Sequence, residues 1–240
     1  MKNYILLLIL TLVLGFTTGC STYITPGAKA DLQAFSPASI EAGFATKPTH
    51  PFPASMATVR VQAPTYSNYY LRQNGGQYGE GRYSVIMTRE VETQAQVDRI
   101  SALPQITGLV TLNRLLLPNK LESDRELREA AARLHADLIF LYTFDTAFID
   151  KDAAKPLSVI TLGLSPTRQI TAVTTVSALL LDTRTGYIYS AYEVTERKAM
   201  LSTSWSSGES ADEARRQTET RAFDKLVNEL VASWPKLLKK

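Results

Sequence analysis

Residues Ala136–Asp150 read ADLIFLYTFDTAFID, and this stretch decides the fold. Successive side chains of a strand point to opposite faces. Leu138, Phe140, Tyr142, Phe144 and Phe148 therefore share one face, and Ile139, Leu141, Ala147 and Ile149 share the other. A strand apolar on both sides belongs in the middle of a sheet, covered above and below.

Working outward, Ser123 followed by Glu126 forms a capping box, and Leu127, Ala130, Ala131 and Leu134 then repeat at helical spacing. Earlier, Thr93–Leu103 reads as a helix stopped by Pro104, and Ile106–Leu117 as a buried strand ending at Pro118. Thr58–Ala63 alternates Val59 and Val61 with Arg60 and Gln62, the pattern of a half-buried strand, and Arg82–Thr88 follows the same rule. Downstream, Leu157–Leu164 and Gln169–Leu181 are two apolar strands joined by a turn containing Pro166. Asp182-Thr183-Arg184-Thr185-Gly186 is a tight turn with glycine where a positive φ is needed, and Tyr187–Arg197 returns as a strand. A Ser-rich loop, Leu201–Gly208, carries Trp205. A second capping box, Ser210 with Glu213, opens a helix of about 24 residues. Its apolar stripe runs through Ala222, Phe223, Leu226, Val227, Leu230, Val231 and Trp234, and Pro235 ends it. A helix with such a stripe packs on a sheet. The expected fold is an α+β two-layer sandwich, its sheet mixed and largely antiparallel, with helices on one face.

The amino terminus is of a different kind. Lys2 precedes an apolar run from Ile5 to Phe16, then Thr17, Thr18, Gly19 and Cys20, the sole cysteine. One positive charge, a short hydrophobic core and small residues at the cut are the parts of a signal peptide. Twelve helical residues span about 18 Å, short of the roughly 30 Å hydrocarbon core of a bilayer, so a permanent membrane helix is the weaker reading. The chain divides into a signal at 1–19, a tether at 20–55 and a single domain at 56–240. The tether contains Pro26, Pro37, Pro48, Pro51 and Pro53. Within it, Ala30–Phe35 and Pro37–Phe44 carry enough apolar residues for single helical turns docked on the domain.

Thr17–Cys20 resembles the lipobox of bacterial lipoproteins. That resemblance implies that Cys20 receives lipid on its sulfur and becomes the new amino terminus, anchored in a bilayer. Ser21, standing where an aspartate would retain a protein at the inner membrane, resembles lipoproteins sorted to the periplasmic face of the outer membrane.

Composition excludes more than it assigns. The net charge of +3 falls to +2 once Lys2 leaves with the signal, and no basic run stands out, so nucleic acid is not an expected partner. With Cys20 consumed no disulfide can form, and the 45% hydrophobic composition leaves stability to the core. His50 lies in the Pro-rich tether and His135 at a helix end; no metal-ligand spacing, nucleophile elbow or phosphate-binding loop is present. No metal and no cofactor are expected. Asp145, Asp150 and Asp152 are the nearest approach to a catalytic carboxylate group, with Asp145 alone inside an apolar strand. Between the first two strands, Pro64–Gly81 sets Tyr66, Tyr69, Tyr70 and Tyr78 among Gly75, Gly76, Gly79 and Gly81. Tyrosine offers contact area at low entropic cost, so this loop is the candidate contact surface for a protein partner.

LREAAARLHADLIFLYT (Leu127–Thr143) together with ALLLDTRTGYIY (Ala178–Tyr189) is similar to the periplasmic domains of the curli-secretion lipoprotein and the TolB amino-terminal domain. The resemblance implies a periplasmic α/β domain whose relatives differ in task. A non-enzymatic docking or assembly module for an envelope protein is the expected function. A subunit of an oligomeric outer-membrane secretion channel, with Leu157–Leu181 as its inserting hairpin, is the alternative, and an envelope hydrolase the third reading.

Overall fold

A computed structural model describes residues 29–31, 35, 39–49, 52–152, 168–202 and 207–239. The signal, Cys20, Ser21, His50, the strand expected at Leu157–Leu164 and Trp205 lie outside these residues. No described helix is long and apolar enough to cross a membrane.

The apolar stretch forms β7 (Leu138–Asp152), and it is central as its two-faced pattern requires. On one side β1 (Ala54–Gln62) runs parallel to it, Val59 opposite Leu141. On the other, β8 (Arg168–Asp182) pairs antiparallel along its whole length, from Leu138 opposite Asp182 to Asp152 opposite Arg168. β9 (Ile188–Ser202) follows β8 antiparallel, with one irregularity at Leu180/Leu181. The far edge of β1 is shared. Parallel β5 (Ile106–Thr111) takes its first half, and antiparallel β4 (Ser84–Ile86), itself extended by β2 (Gln77–Tyr78), takes its second. A separate two-stranded sheet joins β3 (Glu80–Gly81) to β6 (Lys120–Leu121).

This is the expected class, a mixed and largely antiparallel open sheet with helices. The helices divide between its faces, which corrects the expectation that they share one: β7 is apolar on both sides, and each side needs cover. α5 (Ser207–Leu237) and α3 (Gln94–Ser101) bury Phe223, Leu226, Leu230, Trp234 and Ile100 against Leu138, Phe140, Tyr142 and Phe144. α4 (Asp124–Arg133) buries Leu127, Ala130 and Ala131 against Ile139, Leu141, Val59 and Val61 on the opposite face. Over Leu138–Phe144 both faces of β7 are thus covered, as a strand apolar on two sides demands, while further along Asp145, Ala147 and Ile149 are exposed.

Local signals explain most boundaries. The Ser123/Glu126 capping box forms, and so does one at Thr93/Gln96 that starts α3. The capping box expected at Ser210 does not: α5 has already begun by Ser207, so Ser210 sits inside its first turn. Pro235 does not end α5 either. A proline removes one helical N–H and crowds the preceding turn, but here buried Trp234 and Leu237 hold the last turn in place. The run Ile106–Leu117 is divided, the strand stopping at Thr111 before a 3₁₀ turn at Arg114–Leu116. Ala30 and Phe35 are buried on the domain, Phe35 against Tyr83 with ring centroids 5.0 Å apart. α1 (Ile40–Ala45), by contrast, leaves Ile40 81% and Phe44 82% exposed, so that turn is not docked through its apolar residues.

The β8–β9 turn is organised by Asp182. Its Oδ1 accepts from the N–H groups of Arg184 (2.9 Å) and Thr185 (3.1 Å), and Gly186 follows at φ 74°. Its Oδ2 accepts from the Thr49 N–H (2.8 Å), the Thr49 hydroxyl (2.6 Å) and the Tyr189 hydroxyl (3.1 Å). Burial works against ionisation, but the Thr49 and turn hydrogen bonds outweigh it and hold the carboxyl below its usual range. A carboxyl with a lowered folded pKa contributes stability above its unfolded value, about 3.9, and loses it as pH falls through the folded value. Asp182→Ala, which orphans these donors, is expected to cost about 1–3 kcal/mol at pH 7. Urea titrations of variant and wild type should converge below about pH 4.

Candidate functional site

Sequence alternation places Arg60 and Gln62 on a solvent face, and the structure corrects this: both are buried. Gln62 acts as a bracket between strands. Its Oε1 accepts from the Phe144 N–H (2.8 Å) and the Thr143 hydroxyl (2.9 Å), and its Nε2 donates to the Phe144 carbonyl (3.0 Å). Arg60 lies over the Phe144 ring at 4.6 Å and reaches the inner face of α5.

There it meets an ionic cluster. Arg215 of α5 donates to Glu219 (2.8 Å), to Asp212 (2.9 Å) and to Glu90. Glu219 also pairs with Arg60 at 3.4 Å and accepts from the Thr146 hydroxyl at 3.0 Å, with Thr174 behind it. Glu92 faces Arg60 at 3.8 Å and accepts from the Tyr142 hydroxyl at 3.0 Å. Burial lowers the affinity of both guanidinium groups for a proton, but the surrounding Tyr66 and carboxylates more than restore it, so both stay charged. Burial outweighs Arg215 at Glu90 and raises its carboxyl. Each carboxylate here faces a cation, and the cluster's chemistry is that of a clamp joining α5, β1, β7 and the 90–92 segment.

The expected contact tyrosines are not brought together as a surface. Tyr66 is 2% exposed; its hydroxyl accepts from Arg60 (3.0 Å) and Asn68 (3.1 Å), and burial, then Glu219, push it up to about 12. A side chain so enclosed offers no area to a partner, which corrects its assignment as a contact residue. Pro64–Gly81 is not an open loop but contains α2 (Tyr69–Asn74), capped by Asn68, with β2 and β3. Tyr70 packs on the small cluster of Tyr66, Leu71 and Ile86. Tyr78 donates to the Leu117 carbonyl or Asn119 Oδ1, at 3.1 and 2.8 Å, and Tyr69 is exposed.

The carboxylates raised for catalysis fare similarly. Asp145 is exposed on β7, not buried, and Asp150 and Asp152 lie along the strand's end. His135 occupies the turn after α4 at φ 55°. Among the described residues no three His, Cys, Asp or Glu side chains converge as a metal site. A narrow cleft opens where β5 gives way to β4 beside β1, lined by Arg60, Thr88, Arg89, Glu92, Thr111 and Tyr142.

One feature of the sheet lies open. Among the described strands β9, fifteen residues long, pairs only with β8, so no described strand covers its other edge. Even-numbered side chains face α5: Val194 is in the core, Tyr192 bonds Ser233 at 2.7 Å, and Glu196 pairs with Lys225. Odd-numbered ones, Ala191, Glu193, Thr195, Arg197 and Ala199, are exposed on the opposite face. Glu193 accepts from Ser177 (3.1 Å) and Thr195 pairs with Thr175 (2.9 Å).

No family model matches the chain, and no curated protein matches it. Among solved structures it is similar to a candidate lipoprotein from Caulobacter crescentus, with 12% identity over 48% of this chain and 82% of that one, and a TM-score of 0.31. A DUF330 protein from Xanthomonas campestris covers more, 90% of this chain and 97% of its own, at 13% identity and a TM-score of 0.40. A candidate homologue of the neuraminyllactose-binding haemagglutinin from Helicobacter pylori matches 81% of this chain and 90% of its own, at 10% identity and 0.33. At these scores and identities the likenesses assign the chain neither an activity nor a partner.

Proposed function

We propose that this chain is a lipid-anchored, non-enzymatic docking or assembly module of the cell envelope, held at the periplasmic face of the outer membrane through Cys20, and that it receives its partner along the edge of β9. The open edge carries the reading. Unpaired strand edges are templates for another strand, and proteins that do not use them shorten, cover or bend them away. At fifteen residues β9 is well beyond the usual strand length of about five or six. Main-chain hydrogen bonds to such an edge supply affinity, and alternate side chains supply selectivity. The ionic cluster fits a structural role, since its carboxylates are held by two arginines rather than set beside a nucleophile or an unpaired base.

Two readouts test this. An alkyne fatty acid should label the wild-type protein and not Cys20→Ala, and a photo-crosslinking amino acid at Thr195 or Ala191 should trap a protein adduct in intact cells. The same probe at Glu129 on α4, away from the edge, should trap far less. Equal labelling of wild type and Cys20→Ala removes the anchor, and an edge probe that traps no more than the α4 probe removes the docking edge.

A further inference from the structure

Resting on the reading of β9 as a docking edge, we propose that the strand it accepts is β9 of a second copy of this chain, paired antiparallel about a two-fold axis through Thr195. A two-fold axis perpendicular to a sheet keeps each face on its own side, and an isologous contact sets one surface against itself. Residues directly opposite across the new seam then share a face, odd with odd and even with even. Thr195 is the midpoint of Ile188–Ser202, with seven residues on either side, so this register alone pairs the two strands over their whole length.

The same register satisfies the charges. About Thr195, Glu193 of one copy lies opposite Arg197 of the other, and the symmetry makes the pair twice, on the exposed face. Arg197 makes no ion pair or hydrogen bond among the described residues, so its charge is available for that contact. On the α5 face Tyr192 meets Lys198 and Val194 meets Glu196, and no like charges are opposed. Neighbouring registers lose this match. Centring on Val194 aligns no opposite charges, and centring on Glu193, Glu196 or Arg197 sets a charge against its own copy. Directly opposed like charges destabilise a pair of strands, whereas opposite ones stabilise it. The longest overlap and the best electrostatic match therefore coincide at one residue, as a self-complementary edge requires.

The test uses the mature lipidated protein extracted in detergent, its mass measured by light scattering coupled to size exclusion. The expected wild type is a dimer. Arg197→Glu and Glu193→Arg, each of which opposes like charges twice, should each weaken dimerisation about tenfold or more. The double exchange Glu193→Arg/Arg197→Glu restores complementarity and should restore the dimer. Both positions are exposed, so circular dichroism should show an unchanged fold. Thr195→Cys, whose thiol meets its own copy, should form a disulfide-linked dimer on mild oxidation. A monomeric wild type overturns the proposal, as does a dimer that both single charge variants leave intact. If the protein is monomeric while the photo-probe at Thr195 traps a different protein, the second copy is excluded and the docking edge survives. If it is monomeric and the probe traps nothing, both fail.

Discussion

Glu219→Ala is expected to destabilise the domain by about 3–5 kcal/mol, because it leaves Arg60 and Arg215 buried against one another without their shared carboxylate. Both guanidinium groups are too enclosed to recover water, and the Thr146 hydroxyl loses its acceptor as well. A domain of this size is stable by only about 5–15 kcal/mol, so the loss is a large share of the total. Urea denaturation followed by circular dichroism measures it. Glu213→Ala on the same helix is the control: its pair with Arg216 is partly solvated, and its loss should cost under about 1 kcal/mol. If Glu219→Ala matched the Glu213→Ala control, the cluster would not be the clamp that its geometry implies.

Trp234→Ala is expected to cost a similar amount, about 3–5 kcal/mol, through the cavity it opens. Trp234 is 0% exposed, meets the Phe52 ring edge-on at 5.7 Å and donates its indole N–H to the Pro104 carbonyl at 2.9 Å. It thus ties the carboxy-terminal turn of α5 to the segment after α3. The loss removes a large apolar surface and leaves the Pro104 carbonyl unpaired at once. Val231→Ala, one turn earlier and 40% exposed, removes fewer contacts and should cost under about 1 kcal/mol. Equal unfolding midpoints for the two variants would show that the last turn of α5, Pro235 included, packs less tightly than described.

The elements that were legible in the chain are those whose signal is local. β7 announces itself because apolar residues occupy both parities of a strand, and α4 because Ser123 and Glu126 satisfy each other's backbone within one turn. The ionic cluster is not local. Arg60 and Glu219 are separated by 159 residues, and a valine–arginine–valine–glutamine alternation reads the same whether its polar residues meet water or a buried carboxylate. A signal was nonetheless present on α5. Arg215 and Glu219 extend the spacing of Ala222, Phe223 and Leu226 toward the amino terminus, so two charged residues continue an apolar stripe and call for a partner. The start of α5 was misplaced for a related reason: Ser210 and Glu213 have the spacing of a capping box, but a helix already under way has no use for one. The tyrosines misled because aromatic and glycine-rich composition describes an exposed loop and a tightly folded α2 segment equally well.

The way β1 is placed has a consequence for how the chain is made. β7, β8 and β9 are neighbours in sequence and can zip as they emerge, but β1 must wait for β7 some eighty residues later, and Arg60 for a carboxylate near the carboxyl end. Contacts of such separation are slow to form because distant segments must meet before any bond rewards them. A chain synthesised from its amino terminus therefore has only Glu92 to set against Arg60 until α5 brings Glu219. The last helix then closes both the core and the buried charge cluster at a single late step.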